Sequence, residues 1–139
     1  MLKIDNSIFT DIKKNVKEKP NHPAIIFNKK KTSYKQLNQT ISNLSNYLRD
    51  KNVKNIFVKM ENSYALINTI YAVAKIKKNL ILSNLENNFE DDFEFIKEKK
   101  IDCLIVEKNF YSKVRKKIDI KKKEIFYKEK NIKIFIVLF

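Results

Sequence analysis

NIFVKMENSYALINTIYAVAKIKKNLIL (Asn55–Leu82) reads as strand, helix, strand. Asn55–Met60 is short and apolar, as a buried strand must be. Asn62 or Ser63 offers a side-chain oxygen to cap the helix that follows. Leu66, Ile67, Ile70, Tyr71, Val73, Ala74 and Ile76 leave that helix almost no polar face, so it is expected to pack on several sides. Leu80–Ser83 is the second strand. Two strands joined by a helix form a βαβ unit, with a right-handed crossover and parallel pairing.

The same alternation extends in both directions. Upstream, Ser33 and Gln36 form an S-x-x-Q capping box. Tyr34, Leu37, Ile41, Leu44 and Leu48 then draw one apolar stripe along a helix. Asn52 stands where a helix often ends on glycine, and asparagine is the next-best residue for that left-handed turn. Ala24–Asn28, a Lys29–Lys31 turn and a second strand up to Tyr34 make a hairpin whose turn lacks the usual glycine. Pro20 and Pro23 bracket a loop around His22. Ile8, Phe9, Ile12 and Val16 predict a first helix over about Asn6–Lys19. Downstream come a helix (Asp91–Lys99), a strand (Asp102–Glu107), a short helix (Asn109–Lys117) and two closing strands (Glu124–Tyr127 and Ile132–Phe139). The expected fold is α/β: a mostly parallel sheet flanked by helices, with a small N-terminal hairpin, all in one domain over residues 1–139. The last strand is almost wholly apolar, and a central parallel strand normally continues into a crossover helix. The expectation is a chain that stops inside a larger fold.

Composition narrows the function. The 139 residues contain no glycine, where average usage of about 7% would give roughly ten. Phosphate cradles such as the P-loop are built on glycine, so no glycine-rich nucleotide loop can be written from this chain. Lysine, isoleucine and asparagine make up nearly half of it, a bias that fits drift toward AT-rich codons. The net charge of +14 is spread over the whole length, with short runs at Lys29–Lys31, Lys116–Lys117 and Lys121–Lys123. Dispersed lysine describes a solvated surface, whereas a nucleic-acid face concentrates its cations. The segment Met1–Asn15 has no apolar run of signal-peptide length, and no run approaches the ~20 residues that span a bilayer. The single cysteine, Cys103, fits a reducing compartment, so a soluble cytoplasmic protein is expected.

Each candidate for chemistry has a structural account. Ser33 is explained by capping. His22, the only histidine, is expected exposed in its loop and can build no two-histidine metal site. Cys103 lies in an apolar strand, where a free thiol behaves as a small buried hydrophobe. Glu86, Glu90, Asp91, Asp92, Glu94 and Glu98 could together hold a hard cation or do acid–base work, but a helix start favours carboxylates by itself. Phe110, Tyr111, Phe126 and Tyr127 among lysines could stack on bases, yet fall at spacings expected of core residues. No catalytic, cofactor-binding or metal-binding residue is assigned.

Three stretches carry a resemblance to the adenylate-forming enzymes, the superfamily of acyl-CoA synthetases, nonribosomal peptide synthetase adenylation domains and luciferases. HPAIIFNKKKTSYKQLNQTISNLSNYL (His22–Leu48) is similar to the family's hairpin and its T-Y-x-E-L helix start, here Ser33-Tyr34-Lys35-Gln36-Leu37. Asn55–Leu82 resembles the strand that ends near an Asn-Ser pair (Asn62-Ser63) and the long helix behind it. FEFIKEKKIDCLIVEK (Phe93–Lys108) matches the next helix and strand. The family's glycine near Lys77 and proline near Leu82 are missing.

The resemblance covers some 90 residues and only the N-terminal part of the family. It implies a parent reaction in which ATP, with Mg, activates a carboxylic acid as an acyl-adenylate before transfer to the thiol of CoA or a carrier protein. The family's phosphate loop and catalytic lysine lie downstream of the matched region. The chain is therefore expected to be a fragment or truncated relative, inactive alone and carrying no cofactor itself. Its expected partner is the remainder of the enzyme, met through the C-terminal strand. The alternatives are a small basic α/β module that binds nucleic acid, or a scaffold that pairs through that strand.

Overall fold

The computed structural model describes residues 7–120, 122–129 and 132–139. Asn6 and Lys121 of the sequence-based expectations lie outside the described residues, as do the side chains of Ile8, Phe9, Phe126 and Tyr127. The elements in order are α1 (Ser7–Glu18), β1 (Pro23–Phe27), β2 (Lys30–Ser33), α2 (Tyr34–Asp50), β3 (Asn55–Lys59), α3 (Tyr64–Lys75), β4 (Asn79–Leu82), α4 (Phe89–Glu98), β5 (Cys103–Glu107), α5 (Lys108–Val114), β6 (Lys122–Glu129) and β7 (Ile132–Leu138).

Local chemistry sets the boundaries. Ser33 Oγ accepts from Gln36 N at 3.2 Å while Gln36 Oε1 accepts from Ser33 N at 3.0 Å, the full capping box at the head of α2. Ser63 caps α3 and Asn88 caps α4 by a single bond each, accepting from Leu66 N and Asp91 N. The β1–β2 turn is one residue earlier than the lysine run implies. Phe27 pairs with Lys30, and Asn28 (φ 49°) and Lys29 (φ 65°) make a two-residue left-handed turn, whose twist matches that of the strands. Asn52 (φ 53°), Lys77 (φ 56°) and Lys100 (φ 52°) turn the chain out of α2, α3 and α4. These are glycine positions filled without glycine.

The hairpin β1–β2 stands apart from a five-stranded sheet of order β4-β3-β5-β7-β6. Strands β4, β3 and β5 are mutually parallel, with Val58 opposite Leu82 on one side and Ile105 on the other. The closing strand β7 runs antiparallel to both β5 and β6. Four of the five strands therefore share one direction. This corrects the picture of an end strand needing a crossover: too few residues separate Glu129 from Ile132 for a helix, and only antiparallel strands join so closely. Both edges of β7 are hydrogen-bonded within the chain, so the expected pairing of a partner through that strand has no free edge to use.

Strand periodicity sorts the side chains into two cores. Ile56, Val58, Cys103, Ile105, Ile134 and Ile136 face α1, α2 and α3. Phe57, Leu104, Val106, Phe135 and Val137 face α4 and α5, where Phe57 stacks on Phe110 with centroids 5.8 Å apart. Helix α3 differs from expectation. Its buried face is Ala65, Asn68, Thr69, Ala72 and Val73, while Leu66, Ile67, Ile70, Tyr71 and Ile76 stay half-buried. Small residues let α3 lie close to its neighbours, and the bulkier side chains are left flanking that seam.

At the amino ends of the parallel strands, the Asp102 carboxylate accepts from Lys54 N (3.0 Å) and Asn55 N (3.1 Å), tying the start of β3 to the start of β5. The left-handed lysines offer a direct test of the backbone reading. A side chain in that region costs about 1–2 kcal/mol, partly offset by the greater unfolded-state freedom of glycine. Lys77→Gly and Lys100→Gly should each raise the urea-unfolding free energy by about 0.5–1 kcal/mol, and Ser33→Ala should lower it by about 1 kcal/mol. A loss of stability in either glycine variant would contradict the assigned backbone conformation.

Candidate functional site

Ligands of α/β sheets bind beyond the carboxyl ends of parallel strands. At that edge here, β3 ends in Lys59 and β5 in Glu107. The segment Leu85–Asn88 and the first residues of α4 and α5 wall a crevice of about 360 Å³. Phe89 and Phe110 give it an apolar side, and Asn87, Asn88, Glu90, Asn109 and Lys113 a polar rim.

Its floor is a hydrogen-bonded network. Lys59 Nζ pairs with Asp92 Oδ2 and donates to Asn87 O at 2.8 Å, and Ser83 Oγ donates to Asp92 Oδ1 at 2.8 Å. Asp92 is buried and Lys59 nearly so, with side chains 4% and 12% exposed. A charge so placed is tolerable only when paired. The Lys59 ammonium also lies 5.5 Å from the centroid of the Phe110 ring. On the other wall, Glu107 Oε1 accepts from Glu61 N at 2.9 Å, fixing the turn after β3. Two of the three donors of Lys59 are committed, leaving one for a ligand. Cations and carboxylates on one rim suit a polar molecule carrying both donors and acceptors.

Of the residues singled out in the sequence, Glu90 and Phe110 line the crevice and Asp92 lies in its floor network, while the others lie elsewhere. Ser33 is occupied in its cap, and His22 is exposed beside the hairpin. Cys103 is buried in β5, where burial first and the Asp102 carboxylate second push its thiol well above the usual range, so it is no nucleophile. Of the acidic cluster, Glu90 and Asp91 sit exposed in the first turn of α4, as helix-start chemistry implies. Asp92 turns inward to Lys59 instead. Among the described residues, no three His, Cys, Asp or Glu side chains converge to hold a metal ion. Phe110 packs against Phe57 and Phe89, and Tyr111 lies 4.8 Å from Phe135, so these rings belong to the core rather than to a base-stacking surface.

Sequence reasoning missed Lys59, and named Asp92 in the acidic cluster without its partner. The signal was weak: Lys59 ends β3 between the buried Val58 and Met60, but in so lysine-rich a chain that position alone does not mark it as buried. Asp92→Ala should cost about 3 kcal/mol in chemical denaturation, because it strands the Lys59 charge and leaves Ser83 Oγ only its longer contact to Asn84 O. Replacing the pair together, Lys59→Met with Asp92→Leu, should recover most of that loss. Strictly additive losses would show that the two side chains do not act as a pair.

Comparison with known proteins gives a consistent picture. The family model described as AMP-binding enzyme matches residues 12–135. No curated protein matches the sequence. Among solved structures, the N-terminal subdomain of NpsA from Klebsiella oxytoca, bound to anthranilyl-AMSN, is 25% identical with a TM-score of 0.61, over 76% of this chain and 28% of that one. A coronafacic acid ligase mutant from Pectobacterium brasiliense has a TM-score of 0.69 at 21% identity, over 78% of this chain and 22% of its own. The adenylation domain AlmE of Vibrio cholerae, in complex with glycyl-adenosine-5'-phosphate, has a TM-score of 0.67 at 17% identity, over 84% and 22%. The chain thus spans about a quarter of the length of these structures.

Proposed function

The chain belongs to the AMP-binding enzyme family, and from that premise we propose that it is the N-terminal scaffold segment of an AMP-dependent synthetase or ligase. The parent reaction joins a carboxylic acid to ATP as an acyl-adenylate, releasing pyrophosphate, and then passes the acyl group to a thiol of CoA or a carrier protein. On this reading the segment supplies one sheet with its covering helices and is inactive alone. The residues that grip the triphosphate and carry the chemistry belong to the remainder of the fold.

The family match over residues 12–135, in a chain that contains no glycine, carries this reading. Lys77 supports it further. The family glycine expected near that position is absent, yet the backbone still takes the left-handed turn. The shape is retained where the residue type has drifted.

On this reading the crevice is not an ATP site. Glu90 and Glu107 stand on its rim with Lys59 and Lys113, and two carboxylates facing a triphosphate repel it. No step of the parent reaction is assigned to this segment. Its half-buried apolar side chains, Ile67, Ile70 and Tyr71 on α3, and the exposed Ile26 and Phe27 on the hairpin, are surfaces that the rest of such a fold would cover. A partner strand would have to add at β4 or β6, the two edges of the sheet.

Isothermal titration of the purified chain with Mg-ATP should give no binding heat up to millimolar nucleotide. Pyrophosphate exchange with fatty, aryl or amino acids should stay at background. Micromolar ATP binding, or exchange with any acid, would overturn the scaffold reading.

A further inference from the structure

We propose that the junction of α1, α2 and α3, on the sheet face away from the crevice, is a binding site for a phosphate group, free or esterified. Lys13 from α1 and Lys75 from α3 meet at it, and Arg49 of α2, outside the cleft, acts on Lys75 by charge. Lys13 and Lys75 line one cleft with Asn38, over an apolar floor of Ile12 and Ile41. Lys75 Nζ donates to Ser42 Oγ at 3.2 Å, and Arg49 Nη1 donates to Asn46 Oδ1 at 3.1 Å. Asn38, Ser42, Asn46 and Arg49 follow one another by three or four residues, so a single polar stripe of α2 carries this set.

What the cleft lacks is negative charge. No carboxylate lines it, and among the described residues no ion pair joins Lys13, Arg49 or Lys75 to an acidic side chain. The carboxylates of the same helices (Asp11, Glu18 and Asp50) are exposed. Like charges so gathered repel, and the ammonium of Lys75 is held below its ordinary pKa by burial first, then by Lys13 and Arg49. A bound oxyanion reverses that repulsion. The cleft itself is about 10 Å³, room for one water-sized atom. A tetrahedral oxyanion would therefore seat one oxygen inside and keep the others at the mouth, within reach of long flexible cations. Arginine and lysine on separate helices suit phosphate, which accepts from several directions at once.

The sign of the pH effect follows. A folded-state lysine pKa below its unfolded value weakens the fold while the group is charged, so the empty site should cost stability at neutral pH. That cost should fade as pH rises through the folded pKa toward 10.5. Phosphate should raise the Lys75 titration midpoint and remove this slope.

The test is NMR of lysine- and arginine-labelled protein, titrated at constant ionic strength with inorganic phosphate, glycerol phosphate or chloride. Both phosphates should shift Lys13, Arg49 and Lys75 saturably and raise the Lys75 midpoint, while chloride should not. If inorganic phosphate alone acts, the site takes the free ion; if glycerol phosphate binds as well, it takes esters too. Lys75→Met, and separately the exposed Lys13→Gln, should each weaken binding about tenfold. Equal shifts with chloride, shifts scattered over the lysines generally, or unchanged affinity in Lys13→Gln would overturn the proposal.

Discussion

The parallel pairing of β3 with β5 is the constraint on which the molecule is arranged. Strand β3 is flanked by strands on both edges and by helices on both faces, so its backbone groups have partners and Ile56, Phe57 and Val58 reach no solvent to speak of. One register decides everything around it. Shifting β3 by one residue would exchange Phe57 with its neighbours, sending the aromatic ring toward the aliphatic core beneath α2 and α3. The two cores are chemically different, one aliphatic and one built around Phe57, Phe89, Phe93 and Phe110, so such a shift would misfit both.

Each end of that pairing is fastened by an aspartate, and the two fastenings differ in kind. Asp102 sits at the amino ends and accepts only backbone N–H groups. Asp92 sits beyond the carboxyl ends and accepts from the side chains of Lys59 and Ser83. The first joins neighbouring strands. The second holds the segment after β4 against the end of β3, and in doing so shapes the crevice. Neither carboxylate is free to serve as a catalytic base.

Much of the fold was legible because local chemistry and tertiary structure agree. The S-x-x-Q box opens α2 as read, Asn52 turns left-handed where a glycine stand-in was expected, and strand–helix alternation locates the parallel half of the sheet. The short link to β7 could have told that it runs antiparallel to β6, but its place beside β5 was not legible, since an almost wholly apolar strand does not report which strands it lies between. The half-exposed flanks of α3 were also missed, because an all-round apolar helix does not say which side is covered. The Lys59–Asp92 pair spans 33 residues. In a chain with this much lysine, nothing local marks one lysine as the buried one. The three-helix cation cluster was hidden for the same reason, as each member is ordinary in its own helix.

Filling left-handed positions with Asn28, Lys29, Asn52, Lys77 and Lys100 also changes how the molecule fails. A glycine-free chain keeps some conformational strain in its joints, not in its strands or helix bodies. Those joints lie between the rigid pieces, so thermal opening has natural places to begin without disturbing either core. The composition bias has thereby been absorbed as strain at the joints, with the sheet itself left intact.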